Sequence, residues 1–143
     1  KSRPGIGAQA VGIAQGAFEA AMAHAKSRIQ FGEPVFNFQA VQHMLANMAM
    51  DIEAARALIY ASARTIDSGL QKSGNMESAM SKVYASDVAM RVATDAVQIL
   101  GGVGYMRDYP AEKYMRDAKI TQLYEGTNQV LRNIIASELR KKY

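Results

Sequence analysis

The sequence predicts an all-α protein, a four-helix up-and-down bundle with short additional helices. Three observations carry that prediction. Four long stretches repeat their apolar residues at the 3.6-residue period of a helix. The segments joining them are short, which makes successive helices antiparallel neighbours. No alternating apolar/polar run of useful length occurs, and there is no hairpin signal.

The first stretch runs from about Ile6 to Ile29, with Ile6, Ala10, Ile13, Ala17, Ala21 and His24 on one face. Gly12 and Gly16 lie one turn apart and offer a neighbouring helix a close approach. The second follows Pro34, from about Phe38 to Ser68, with Val41, Leu45, Met48, Ile52, Ala55, Ile59 and Ile66 as its stripe. Ser68-Gly69 is a C-terminal glycine signal. The third begins after Lys72-Ser73-Gly74-Asn75, with Asn75 as N-cap. Its inward face is Ala79, Val83, Ser86, Met90, Ala93, Val97 and Leu100, and Gly101-Gly102-Val103-Gly104 stops it. A loop with Asp108-Tyr109-Pro110 precedes a short helix from about Ala111 to Arg116. The last helix begins near Asn128 and turns Leu131, Ile134, Ile135 and Leu139 inward.

The 143 residues fit one domain of modest core. There is no cysteine, which excludes disulfides, a thiolate metal site and a cysteine nucleophile, and agrees with a reducing compartment. A net charge of +4 admits an anionic ligand or partner. Nucleic-acid binding is not expected, because Lys and Arg are spread along the chain rather than clustered on a face. The dense cluster Arg140-Lys141-Lys142 reads as a solvated helix end that complements the helix dipole. No apolar run approaches the ~18–20 residues of a membrane span, and no secretory or transit segment is recognisable. The chain begins Lys1-Ser2-Arg3-Pro4 without an initiator Met, so a piece of a longer protein is expected.

Gly5-Ile6-Gly7-Ala8-Gln9-Ala10 fits a dinucleotide-binding pattern but lacks the buried strand that must precede it. His24 and His43 have no metal-ligand spacing, and no metal site is expected. The nine Met residues sit mostly at helical spacing among alanines, as core filling does. Arg28, closing the first helix, could bind phosphate through its forked donors, although capping explains it better on spacing alone. Gln98 before three glycines is read equally well as a ligand loop or a plain helix stop. The sharpest stretch is Tyr124-Glu125-Gly126-Thr127-Asn128-Gln129, a carboxylate on a glycine turn just before an apolar helix. Leu123 and Val130 lie nearby, and apolar surroundings make a carboxylate a better proton acceptor. On spacing alone, a Glu capping the helix start is the simpler reading.

Read together, these pieces resemble the C-terminal domain of the acyl-CoA dehydrogenase family over essentially the whole chain. The resemblance is carried by Arg28-Ile29-Gln30-Phe31-Gly32, Phe38-Gln39-Ala40, Ala93 through Gly102, Tyr109-Pro110, Met115 through Ile120, and Tyr124-Glu125-Gly126-Thr127, in that order and spacing. It implies α,β-dehydrogenation of an acyl-CoA thioester with FAD as cofactor, the β-hydrogen leaving as hydride to the flavin. It implies that Glu125 is the base that removes the α-proton, and that its backbone N–H helps polarise the thioester carbonyl. It assigns Arg28 to the FAD pyrophosphate, Gln39 to FAD nearby, and Gln98, Gly101 and Gly102 to the adenosine end, all on a neighbouring subunit's FAD. Thr127 and Gln129 are assigned to the FAD beside Glu125, and Arg3 and Gly126 to the CoA ligand. Asn128 stands where Ser or Ala is common, with little consequence expected.

The family resemblance further implies a homotetramer that passes electrons to electron-transfer flavoprotein. It implies a cytoplasmic location in a bacterium, or the mitochondrial matrix in a eukaryote. In isovaleryl- and long-chain-type relatives the base lies on the first helix instead; Glu19 is there, in a register that does not obviously suit the role. The family's N-terminal helical and middle β domains are not in this sequence, so no dehydrogenase activity is expected of the 143 residues alone. A glutaryl-CoA-type decarboxylating enzyme, an acyl-CoA oxidase and a non-catalytic helical oligomerisation module are the alternatives.

Overall fold

Pro4 sits in the first turn of the opening helix, where a missing N–H disturbs no hydrogen bond. That helix, α1, spans Arg3–Ser27 in the computed structural model, which describes residues 2–69 and 75–143. The helix stops where Arg28 turns to extended backbone. Its core seam is Gly7, Ala10, Val11, Ala14, Ala17, Ala21 and Ala25. Ile6, Ile13 and His24, expected to face inward, are only half-buried at the rim. Small residues let the neighbouring backbones come close, and the larger side chains are pushed to the edge of that contact. Gly16 does take a close neighbour, the Tyr114 ring, 2.9 Å from where a Cβ would stand. Gly12 does not; it faces open space.

A β-hairpin that the sequence did not signal follows. Strands β1 (Ile29–Gln30) and β2 (Glu33–Pro34) pair antiparallel, Ile29 opposite Pro34 and Gln30 opposite Glu33. Phe31 at φ 54° and Gly32 at φ 85° form its two-residue turn, both left-handed as the twist of a tight hairpin requires. A short 3₁₀ turn, Val35–Asn37, leads into α2 (Gln39–Asp67), which buries Leu45, Met48, Ile52, Ala55 and Ile59 as its periodicity predicts. Helix α3 spans Asn75–Leu100. Asn75, expected as the N-cap, is itself helical, and the proposed linker Lys72-Ser73-Gly74 lies outside the described residues. The glycine run becomes a 3₁₀ turn, Gly101–Tyr105. Helix α4 spans Ala111–Thr121, a turn longer than expected, and α5 spans Asn128–Lys142.

The four-helix up-and-down bundle is present, with one change of membership. Gly7 of α1 lies against the Ser81 carbonyl early in α3 and against Ile59 late in α2. At the other end, His24 and Arg28 share a groove with Gln98–Gly102 and with Val41 and Met44 of early α2. So α1 and α3 run parallel and α2 runs antiparallel to both. Helix α4 is the fourth member: it packs on α1 and α3 and runs back, so that Tyr114 meets Gly16 and Tyr124 reaches Gln9. Helix α5 instead lies along early α3, through Leu131 on Ala79 and Val83. Its Ile134 and Ile135 are half-buried there, while Leu139, expected inward, is 38% exposed. Among the described residues, no helix is long and apolar enough to cross a membrane.

Candidate functional site

The turn between α4 and α5 has unusual backbone geometry. Glu125 at φ 55° and Gly126 at φ 92° are consecutive left-handed residues. Glycine accepts that region freely, but a glutamate there is strained by about 1–3 kcal/mol and stays only where its surroundings hold it. Several hydrogen bonds do so. The Asn128 N–H donates to the Gln122 carbonyl at 3.0 Å and closes the loop. Thr127 is the N-cap of α5, its hydroxyl accepting from the Val130 N–H at 3.3 Å. Capping therefore falls to Thr127, and the Glu125 side chain is directed elsewhere.

The Glu125 carboxylate accepts a 2.6 Å hydrogen bond from the Ser2 hydroxyl, at the start of α1. Arg3 and Gly126 are thereby brought to the same corner, and Tyr124 ties it down by donating to Gln9 of α1. Gln129 is exposed on the first turn of α5. Within this chain the corner is open: Glu125 is exposed, and Leu123 and Val130 are 47% and 51% exposed. The apolar enclosure expected from the sequence is not formed by these residues. Glu19 lies roughly four turns along α1 from Arg3, exposed and hydrogen-bonded to Gln15 at 2.9 Å.

Beneath the turn is a buried polar network that the sequence reading missed. Lys82 of α3 has no exposed surface, and its ammonium donates to the Gly126 carbonyl at 2.9 Å and to Asn128 Oδ1 at 2.8 Å. Burial pushes the Lys82 amine below the usual lysine range, while the nearby Asp87 carboxylate opposes that shift. Asn128 is 2% exposed, and its amide donates to Ser86 Oγ and Asp87 Oδ1, each at 2.8 Å. Asp87 also pairs with Arg132 at 2.6 Å. The expectation that Asn128 is of little consequence does not hold: it joins α3 to the start of α5. The available signal was Ser78, Lys82 and Ser86, a polar row at i, i+4, i+8 on the otherwise apolar face of α3.

At the opposite end of the bundle, Arg28, Gln98, Gly101 and Gly102 line one groove of about 440 Å³. Its floor is apolar, with Val35, Phe38, Val41, Met44, Ile99 and Leu100. Gly101, left-handed at φ 65°, and Gly102 both face open space, so a ligand can approach their backbone closely. Burial, then the charge of Arg28, pushes His24 below the usual imidazole range, leaving Arg28 as the groove's cation at neutral pH. A forked cation, an amide, bare backbone and an apolar floor fit a dinucleotide such as FAD. Gln39 is not brought into this lining; it is exposed at the start of α2, next to Phe38.

The predicted residues thus fall into two sets. The groove and the Glu125 corner are separated by the length of α1, about 35 Å at 1.5 Å per residue. Among the described residues, no group of His, Cys, Asp and Glu could hold a metal ion.

Comparison with known proteins gives a consistent picture. Residues 1–140 match the family model for the acyl-CoA dehydrogenase C-terminal domain. A probable acyl-CoA dehydrogenase of Mycobacterium tuberculosis is 59% identical over 138 residues, covering 96% of this chain and 35% of that protein. Cyclohexane-1-carbonyl-CoA dehydrogenase of Geobacter metallireducens is 50% identical over 141 residues, covering 99% of this chain and 37% of that protein. Butyryl-CoA dehydrogenase from Megasphaera elsdenii superposes with a TM-score of 0.92 at 50% identity, covering 96% of this chain and 35% of that chain. The chain spans about a third of the length of these relatives.

Proposed function

The chain belongs to the acyl-CoA dehydrogenase family as its C-terminal domain, and from that premise we propose that it supplies the base and part of the flavin site for α,β-dehydrogenation of an acyl-CoA thioester. The observation that carries this reading is Glu125 held in a strained left-handed turn beside Arg3, with a carboxylate that caps no helix. FAD, when bound, supplies the acceptor for the hydride that leaves the β-carbon. Glu125 takes the α-proton onto its carboxylate, and the electron pair of that broken C–H bond forms the new double bond as the β-hydrogen departs with its own pair. Its N–H donates to the thioester oxygen as charge develops there, a contribution of about 3 kcal/mol for one well-placed donor. Arg3 and Gly126 face the CoA portion, and Thr127 and Gln129 face the cofactor beside Glu125.

The separation of the two residue sets supports a shared site. Arg28, Gln98, Gly101 and Gly102 hold a cofactor whose reacting end lies in another copy, with Gln39 nearby. In this reading each copy contributes its Glu125 corner to one site and its groove to another, as a homotetramer allows. The N-terminal helical and middle β domains that the family supplies would enclose the open Glu125 corner. Electron-transfer flavoprotein is the proposed acceptor of the electrons.

The direct test is anaerobic mixing of the whole protein with a panel of acyl-CoA thioesters. Bleaching of the flavin absorbance by at least one member is expected; no bleaching across short, long, branched and alicyclic acyl groups would remove the reading. For the groove, Arg28→Gln removes the fork and the charge. It is expected to weaken FAD retention about tenfold or more, the loss of a charge-assisted contact of ~1.5–3 kcal/mol. Flavin content after gel filtration, against wild type, measures it.

A further inference from the structure

Lys82 is the one charged side chain, among the described residues, that is fully buried. An ammonium leaves water at a large cost unless its donors are met. Here they meet the Gly126 carbonyl at 2.9 Å and Asn128 Oδ1 at 2.8 Å. The Asn128 amide cannot turn away, because its nitrogen is engaged by Ser86 and Asp87 at 2.8 Å each. Asp87 is held in turn by Arg132 at 2.6 Å and by Gln122, at the end of α4, at 2.7 Å. The network therefore joins α3, the end of α4 and the start of α5, and through Lys82 it reaches the Gly126–Thr127 peptide, one residue beyond Glu125.

Fixing the Gly126 carbonyl fixes the plane of the Gly126–Thr127 peptide, while the Asn128 N–H to Gln122 bond closes the other side of the loop. Glu125 and Gly126, both left-handed, lie inside the loop that these bonds close. If the ammonium is removed, the strain at Glu125 is released by rotation of the turn, and both its side chain and its N–H change direction.

We propose that Lys82 is a positioning residue for Glu125: its buried ammonium locks the Gly126 carbonyl and so holds Glu125 in the left-handed conformation from which it acts. This rests on the reading of Glu125 as the base. The role is distinct from holding the cofactor, because Lys82 lies at the Glu125 end of the bundle and the Arg28 groove at the other.

The test is Lys82→Met in the whole enzyme, which keeps an unbranched side chain one atom shorter and removes its donors. The rate of flavin reduction per bound flavin is expected to fall about 10²-fold, the scale of a small misplacement of a reacting group. The apparent dissociation constant of the acyl-CoA is expected to change by less than about threefold, as for a group that acts on the transition state rather than on binding. Amide hydrogen exchange across residues 124–128 is expected to speed up. A purely structural role would lower flavin content or stability and leave the rate per bound flavin unchanged. Wild-type rate per flavin with unchanged exchange at the turn overturns the proposal. If Lys82→Met does not fold, Lys82→Leu, which likewise carries no donor, makes the same test, and a wild-type rate there overturns the proposal equally. Glu125→Gln run alongside separates the two readings. An active Glu125→Gln overturns the base assignment and this proposal together; an inactive one beside a fully active Lys82 variant overturns this proposal alone.

Discussion

Replacing Glu125 by Gln in the whole enzyme is expected to slow flavin reduction by saturating acyl-CoA about 10²- to 10⁴-fold, the range a positioned general base contributes. The substitution keeps the shape of the side chain and its hydrogen bond from Ser2, since an amide oxygen accepts from a hydroxyl as a carboxylate does. The backbone N–H and the left-handed turn are also retained, because Lys82 and Thr127 hold them from outside the side chain. What is lost is the ability to take a proton. Flavin content should be unchanged, because the Arg28 groove is a bundle length away. Stopped-flow bleaching measures the effect, and a wild-type rate would take Glu125 out of the base role.

The second large effect is expected at Leu131, where truncation to Ala should cost about 2–5 kcal/mol of stability. Leu131 is 1% exposed and is the apolar anchor of α5 on Ala79 and Val83 of α3. Those partners are small, and the ground beside them is the Lys82–Asn128–Ser86 network, which cannot slide into a vacated apolar space without losing hydrogen bonds. The cavity would stay largely open. Leu131 also lies close under the Glu125–Gly126 turn: its Cδ2 is 3.2 Å from where a Cβ on Gly126 would stand. The urea midpoint should fall at unchanged slope. A loss below ~1 kcal/mol would mean that α5 is held by its polar contacts rather than by this side chain.

The long helices were legible because their apolar period is strong: in α2 the middle of the expected stripe, Leu45 to Ile59, is buried, while Val41 and Ile66 at its ends are half-buried. The packing within the bundle was harder to read. In α1 the periodicity pointed to the largest apolar residues, but the contact is made by the smallest, since close approach selects for size rather than hydrophobicity. Helix α4 was read short, to Arg116, although Ala118 and Thr121 carry its buried face one turn further. The hairpin gave no period-2 signal with two residues in each strand, and its turn carries Phe31 where Asn or Asp would be recognised. At the site, Glu125, Arg28 and the Gln98–Gly102 run could each be picked out from the sequence. Their division into two sets came only with the family resemblance, and their standing at opposite ends of the bundle depends on which helices run parallel. Lys82 was passed over because a charged residue on a helix is ordinarily read as surface.

The parallel course of α1 and α3, which puts the Glu125 corner and the Arg28 groove at opposite ends, has a genetic consequence under the shared-site arrangement. A lesion at either end damages a different half of each composite centre. A copy disabled at Glu125 still lends a sound groove to its neighbour, and a copy disabled at Arg28 still lends a sound base. Two inactive alleles, one of each kind, should therefore complement each other when co-expressed, because some mixed assemblies pair the two intact halves. Two alleles damaged at the same end should not. Activity in the co-expressed pair, against none in either parent alone, reads out the geometry of the bundle without a structure of the assembly.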